Sequence, residues 1–161
     1  MCRNNNRNFG VSFNKKKSTL ADNERGQKQA TLDFYMTVKD DLYVYNHSIY
    51  IKFKRNEFKY AEIEKDEEFI LNLKNYLNIM EIIATGINTG IYNIDVFDRL
   101  YGDVCMRVAG QLKDYIEERR NLMGEEEIYR DYELLILKLK KIHNNSELLN
   151  SRAIIKNTFD I

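Results

Sequence analysis

The residues in this sequence best suited to catalysis are two histidines, His47 and His143, and two cysteines, Cys2 and Cys105. The histidines are far apart in the chain, and neither has cysteine or carboxylate partners at the spacing of a zinc site. Cys105 could act as a nucleophile with a histidine, but it falls mid-helix beside an apolar stripe, where a buried structural cysteine is expected. We therefore predict no catalytic and no metal-ligating residue.

Three carboxylates, Glu81, Asp98 and Asp103, could bind a divalent metal if the helices that carry them face each other. The Glu-x-x-His pairs of di-metal helical bundles are absent from the sequence. The interpretation is therefore a protein that is not an enzyme and needs no cofactor, and a metal-dependent hydrolase is the alternative.

The cysteine content and the hydropathy of the sequence indicate the cellular compartment. Two cysteines give no disulfide framework, which fits a reducing environment. No run approaches the ~18–20 apolar residues of a membrane span, and Met1 to Lys17 lacks the apolar core of a signal peptide. These features predict a cytoplasmic protein without a transmembrane segment.

Charge is unevenly distributed although the formal net charge is zero. Residues 1–28 carry seven basic and two acidic residues, whereas residues 29–161 carry 18 basic and 23 acidic residues. We predict a flexible, Asn-rich basic arm over residues 1–28 and a single helical domain over residues 29–161. The arm's candidate partner-binding residues are Arg3, Arg7, Lys15, Lys16 and Lys17. Such an arm binds nucleic acid or an anionic membrane surface, docks on its own acidic domain, or stays solvated.

The absence of proline and the low count of seven glycines favour long helices. From Ala30 onward, apolar residues recur every three or four positions, as on one face of a long helix (Phe34, Val38, Leu42, Tyr45, Ile49 and Phe53). Residues 1–17 look irregular, with Ser18 or Asp22 as the helix cap. Over Tyr43–Ile63, alternation of β-branched and aromatic residues with polar ones leaves a β-hairpin as the alternative.

The densest apolar pattern lies on both sides of a turn that contains Gly86 and Gly90. A helix after Lys65–Glu68 and a helix capped by Asn93 pack here, and the glycines form a left-handed helix end and a tight turn. Asp103 and Arg107 lie four residues apart and can pair on the outer face. Gly102 and Gly110 permit a bend or a close neighbour.

In the C-terminal part, the pattern predicts one helix that begins with Glu125, Glu126 and Glu127. A break at Asn144–Ser146 and a short last helix follow. Tyr101, Tyr115, Tyr129 and Tyr132 fall on or beside the apolar stripes, and we expect them to line the core or a groove. The predicted fold is all-α, an antiparallel bundle of four to five helices with a long first helix.

Four short segments together resemble an uncharacterised bacterial and phage family of helical domains of unknown function, over about residues 29–141. The segments are Ala30–Phe34, Tyr76–Leu77 with Glu81, Gly86–Tyr92 and Tyr115–Arg120. The resemblance implies a helix rather than a hairpin near Tyr43–Phe53, and it implies no catalytic residues. Family members often follow a membrane-anchoring helix, and some relatives resemble phage abortive-infection proteins.

These observations favour a non-enzymatic helical module that binds another protein, in a phage, a prophage or an anti-phage defence locus. The alternative is a nucleic-acid-binding accessory protein that uses the basic arm. A homo-oligomer is compatible with either interpretation.

Overall fold

The computed structural model describes the backbone of residues 8–54 and 60–159, and the side chains of residues 19–54, 60 and 63–145. These residues form helices joined by short turns, with no strand among them. The helices are α1 (Asn8–Lys54), α2 (Tyr60–Ile63), α3 (Glu67–Asn88), α4 (Ile94–Phe97), α5 (Asp103–Met123) and α6 (Arg130–Phe159), with a π-helical segment, Asp98–Gly102, between α4 and α5. The prediction of an all-α helical bundle is confirmed.

Helix α1 is longer than the sequence pattern indicated. It begins at Asn8, so the irregular conformation predicted for residues 1–17 is wrong over residues 8–17, and both Ser18 and Asp22 lie inside the helix. It also runs to Lys54, which makes the hairpin alternative wrong over residues 43–54. Helical propensity and packing outweigh the short β-like alternation here. The separation of residues 1–28 as a flexible arm stays a prediction.

The core is built around α3, whose apolar face was the widest in the sequence. Helix α1 contributes Leu42 and Ile49 to the same core, and both are fully buried. The buried residues of α3 are Phe69, Leu73, Tyr76, Leu77, Met80, Ile83, Ala84, Gly86 and Ile87. Burial at ~25 cal/mol per Å² of apolar surface makes this helix the main source of stability.

Contacts at the helix ends fix their directions. Lys52 near the end of α1 pairs with Asp66 at the start of α3 at 2.7 Å, and Gln27 donates to the Gly90 carbonyl oxygen beyond the end of α3 at 2.6 Å. These two helices are therefore antiparallel. Helices α5 and α6 are antiparallel as well, because Arg120 near the end of α5 meets Glu133 near the start of α6, while His143, further along α6, reaches Asp103 at the start of α5.

The turn between α3 and α4 shows why glycine is needed at two positions. Gly90 has a φ of 77°, in the left-handed region. Gly86 lies inside α3, where a Cβ atom would come within 2.1 Å of the Tyr92 ring that folds back on it. Asn93 caps α4 by accepting a hydrogen bond from the Val96 amide at 3.0 Å, as predicted.

Helix α6 differs from its prediction at both ends. It begins at Arg130, because the left-handed Gly124 and a positive φ at Tyr129 keep the intervening acidic residues in a turn. The break predicted at residues 144–146 is wrong, since α6 continues through them to Phe159. Asparagine and serine lower helix propensity there without stopping the helix.

Candidate interaction groove

A groove of about 700 Å³ lies between α1 and α5. One wall is a face of α1 and the other combines the π-helical segment with the first half of α5. The lining residues of α1 are Tyr35, Lys39, Asp40, Tyr43, Asn46, His47 and Tyr50, and those of the opposite wall are Leu100, Tyr101, Val104, Arg107, Val108 and Gln111. We call this surface the tyrosine groove.

The floor of the tyrosine groove is held by Tyr101, whose ring lies 6.2 Å from that of Tyr35 and 6.1 Å from that of Phe97. Its hydroxyl accepts a hydrogen bond from the Asn46 amide nitrogen. Burial raises the pKa of Tyr101 well above its ordinary value, and the Asn46 hydrogen bond opposes that shift. The hydroxyl therefore stays protonated at physiological pH and works as a neutral, fixed wall.

The π-helical segment positions Tyr101 through a contact that only glycine permits. A Cβ atom on Gly102 would lie 2.1 Å from the Asp98 carboxylate oxygen. Asp98 can therefore fold across Gly102 and meet the His143 ring of α6, with 2.8 Å between Oδ1 and Nε2. Single-turn π-helical insertions recur at functional sites because they shift the register of the residues that follow.

The rim of the groove is aromatic and open to solvent. Tyr43 is 73% exposed and Tyr50 is 50% exposed. His47 stacks on Tyr43 with 6.4 Å between ring centroids. Tyrosine combines a large apolar ring with a polar tip, which suits surfaces that become buried on binding.

The groove carries one cation without an internal partner. Lys39 pairs with Asp40 at 2.8 Å, whereas Arg107 makes no ion pair or hydrogen bond with any described residue. The predicted pair between Asp103 and Arg107 is not formed. The Asp103 carboxylate instead lies 3.7 Å from His143 Nδ1 of α6. The acidic residue one helical turn from Arg107 therefore contacts a different helix.

A second polar cluster joins α3 to the start of α6, and we call it the α3–α6 joint. Its hydrogen bonds include those that Glu81 accepts from the Asp131 and Tyr132 backbone amides at 3.2 and 2.9 Å. Asp131 accepts from Thr85 and Asn88, each at 2.8 Å. Burial raises the pKa of Glu81, whereas the Asn88 and Thr85 hydrogen bonds lower the pKa of Asp131. The joint ties two helices together.

The residues first considered for chemistry are dispersed. His47 lies in the tyrosine groove, and His143 lies between the carboxylates of Asp98 and Asp103. Cys105 is buried, and burial raises the pKa of its thiol to about 12, which leaves it unreactive. Glu81 belongs to the α3–α6 joint. Within the described residues, no cluster of histidine, cysteine and carboxylate side chains is arranged to hold a metal.

The basic-arm residues fall mostly outside the described residues. Arg3 and Arg7 lie outside them altogether, and Lys15, Lys16 and Lys17 are placed only as backbone within α1. Cys2 is likewise outside. The role of these basic residues therefore stays a prediction.

Sequence reasoning missed Tyr35, Tyr43 and Asn46 as site residues, although a signal was present. Leu32, Met36, Tyr43, His47 and Tyr50 are spaced by four, seven, four and three residues, which makes a second helical stripe on α1 beside the core stripe. Only the core stripe was used to predict packing, and no role was assigned to the second stripe, on which Met36, Tyr43 and Tyr50 are exposed.

The fold defines an all-α helical-bundle domain. A family model for a domain of unknown function, DUF4760, matches residues 11–139, and the chain belongs to that family. No curated protein matches the chain. No solved structure matches it either.

Residues in the family-like segments hold the helices together. Thr31 is buried, and its hydroxyl accepts a hydrogen bond from the Asn93 amide at 2.7 Å. Arg120 donates from two nitrogens to the Ile128 carbonyl oxygen, at 2.9 and 2.6 Å. With Glu81, these residues fix the turns between helices.

Within the described residues, every helix falls short of the combined length and hydropathy that a membrane-spanning segment needs.

Proposed function

We propose that this domain is a non-enzymatic protein-interaction module that binds another protein through the tyrosine groove. The observation that carries the proposal is the exposure of Tyr43 and Tyr50 along a groove about 700 Å³ in volume. Tyrosine is enriched among the residues that dominate binding energy at protein interfaces. Met36 and Leu32 extend the same face of α1 away from the groove, which lengthens the apolar surface that a partner can cover.

The open shape of the groove favours a protein segment over a small molecule. Small-molecule sites bury most of the ligand surface, whereas both tyrosines on this rim stand at least half in solvent. A helix or an extended segment that lies along α1 contacts several tyrosines at once. Binding of this kind also needs no reactive group, which agrees with a Cys105 thiol that burial holds protonated.

The biological setting rests on sequence alone. Resemblance to relatives similar to phage abortive-infection proteins supports a role in phage defence or counter-defence. In such a role the domain works by occupying or recruiting another protein.

The experiment is capture of a partner from host extract followed by a binding measurement with the purified pair. We expect the Tyr43→Ala/Tyr50→Ala variant to bind at least about 30-fold more weakly, because two interface tyrosines account for about 2 kcal/mol or more. Leu71→Ala is the control, since Leu71 is 59% exposed and lies outside the groove. Equal affinity of the groove variant and the wild type would refute the proposal, as would turnover of a nucleotide by the purified domain without any partner.

A second function, nucleic-acid binding by the basic arm, is favoured by one observation. Residues 19–26 of helix α1, which follow the basic residues along the chain, are all exposed. Basic residues next to a solvent-exposed helical segment are suited to contact the phosphates of a nucleic acid. Deleting residues 1–25 should then abolish a salt-dependent affinity for duplex DNA or RNA. Unchanged affinity after the deletion would exclude the arm as the binding site.

A further inference from the structure

Arg107 is the charged group in the tyrosine groove that no described residue neutralises. The two carboxylates nearest to it in sequence or in the groove are Asp103 and Asp40. Asp103 lies against His143, and Asp40 pairs with Lys39. Arg107 therefore presents its guanidinium to whatever occupies the groove.

The surroundings of Arg107 strengthen its attraction for an anion. Val104 and Val108 line the same wall, and Tyr101 closes the floor beside them. An occupant that covers these apolar groups removes water from the guanidinium, and a charge pair is stronger where water is excluded. The planar guanidinium also donates two parallel hydrogen bonds to a carboxylate.

We infer that the natural occupant of the tyrosine groove is a protein segment that places an aspartate or glutamate side chain on Arg107 and apolar side chains on Tyr43 and Tyr50. The inference rests on the proposed function and specifies the partner's chemistry. Charge complementarity favours an acidic peptide over a nucleic acid. Residues 29–161 carry 18 basic and 23 acidic residues, so a polyphosphate backbone is repelled by the body, whereas one carboxylate meets one arginine.

The test is selection from a library of random 12-residue peptides displayed on phage, with the full-length chain as bait. The wild type should enrich aspartate or glutamate at one position at least fivefold over the unselected library. Arg107→Glu should instead enrich lysine or arginine at that position, because the charge that it pairs with is reversed. Lys113→Glu is the matched control: it makes the same charge change on the same helix, outside the groove, at a side chain that is 70% exposed.

One further bait, the Tyr43→Ala/Tyr50→Ala variant, separates the inference from the proposed function. If the selected peptides need Tyr43 and Tyr50 but show no acidic preference, or if Arg107→Glu selects the same peptides as the wild type, the inference is overturned and the groove remains a protein-binding site. If no peptide depends on the two tyrosines, both proposals fall. Salt-dependent binding of a 20-nucleotide single strand that is lost in Arg107→Glu would also overturn the inference. Circular dichroism of each bait establishes that the variants remain folded.

Discussion

The α3–α6 joint and the tyrosine groove are both polar contacts between helices, but their hydrogen bonds are used differently. In the joint, Glu81 and Asp131 find partners on the opposite helix or its backbone. In the groove, Arg107 has no partner among the described residues. The joint completes its hydrogen bonds within the molecule, and the groove leaves an exposed guanidinium without an ion pair to any described residue.

This difference separates stability from binding. Buried polar groups that are paired hold a fold in one arrangement. Removing one partner leaves the other buried without a hydrogen bond, which lowers the free energy of unfolding. Unpaired groups at a solvent-accessible groove contribute little to folding and much to recognition. Substitutions in the joint should therefore change the free energy of unfolding, whereas substitutions in the groove should change affinity.

The largest expected effect on stability is at Arg120, which links the ends of α5 and α6. Its side chain is 17% exposed, donates two hydrogen bonds to the Ile128 carbonyl and pairs with Glu133 at 3.0 Å. Arg120→Ala should lower the free energy of unfolding by about 3 kcal/mol, because charge-assisted hydrogen bonds to partly buried groups are lost. Urea unfolding followed by circular dichroism measures this.

Lys113→Ala is the control for that prediction. Lys113 is on the same helix and pairs with Glu117 at 3.5 Å, but its side chain is 70% exposed. The control should change stability by less than about 0.5 kcal/mol. Equal losses for the two variants would contradict the stabilising role given to Arg120 at the end of α5.

A smaller effect is expected at Glu81, which caps α6 from a different helix. Glu81→Ala leaves the Asp131 and Tyr132 amides at the start of α6 without an acceptor and should cost about 2 kcal/mol. Glu81→Gln keeps one acceptor oxygen and should lose about half as much. Chemical unfolding of both variants measures the two losses in the free energy of unfolding, and the affinity for the partner is measured in parallel. A loss of affinity at unchanged stability would contradict the separation of the two regions.

Two glycines of the same helical stretch should respond with opposite sign. Gly102→Ala forces the Asp98 carboxylate out of its position and breaks its contact with His143, which should destabilise the protein by about 1 kcal/mol. Gly110→Ala should stabilise it by about 0.5–1 kcal/mol, because its Cβ atom meets nothing within 4 Å in the described structure and alanine favours the helix. Thermal unfolding of the pair tests whether Gly102 is needed for space.

The pH dependence of the joint should follow Asp131. Hydrogen bonds from Asn88 and Thr85 hold the pKa of Asp131 below its ordinary value of 3.8. The stabilisation is therefore full above pH 3.8 and is lost as the pH falls through the lower pKa of the folded state. The stability difference between wild type and Asp131→Asn should shrink as the pH is lowered from 6 to 3. A difference that stays constant over that range would show that Asp131 does not titrate through these contacts.

The smallest effect on stability is expected in the groove itself. Tyr43→Ala/Tyr50→Ala should change the free energy of unfolding by less than about 0.5 kcal/mol, because both side chains are at least half exposed. A much larger loss of stability, measured by urea unfolding, would mean that the tyrosines are part of the core packing.

The long-range apolar periodicity was enough to predict the fold class and most of the core. Leu73, Leu77 and Met80 follow the helical spacing and are all fully buried. Helix starts were predictable where a capping side chain acts on its own helix, as at Asn93. The start of α6 was not, because its first amides are capped by Glu81, 50 residues away in sequence.

The tyrosine groove could be predicted only in part, for a related reason. Spacing places Tyr43 and Tyr50 on one face of α1, but it does not say which face of a two-striped helix is left uncovered. The pairing of Arg107 was predicted wrongly, because local helix spacing favours Asp103 while the folded chain brings His143 to that carboxylate. Contacts between distant segments decide both points, and single-sequence patterns do not contain them.

Amide hydrogen exchange of the domain with and without its captured partner tests the central claim most directly. We expect slower exchange on binding in the two walls of the groove, residues 35–50 and 100–111. Residues 81–88 and 130–138, which contain the joint, should change little. Protection confined to the joint, or to residues 8–26 of α1, would show that the partner binds elsewhere and would contradict the assignment of the groove.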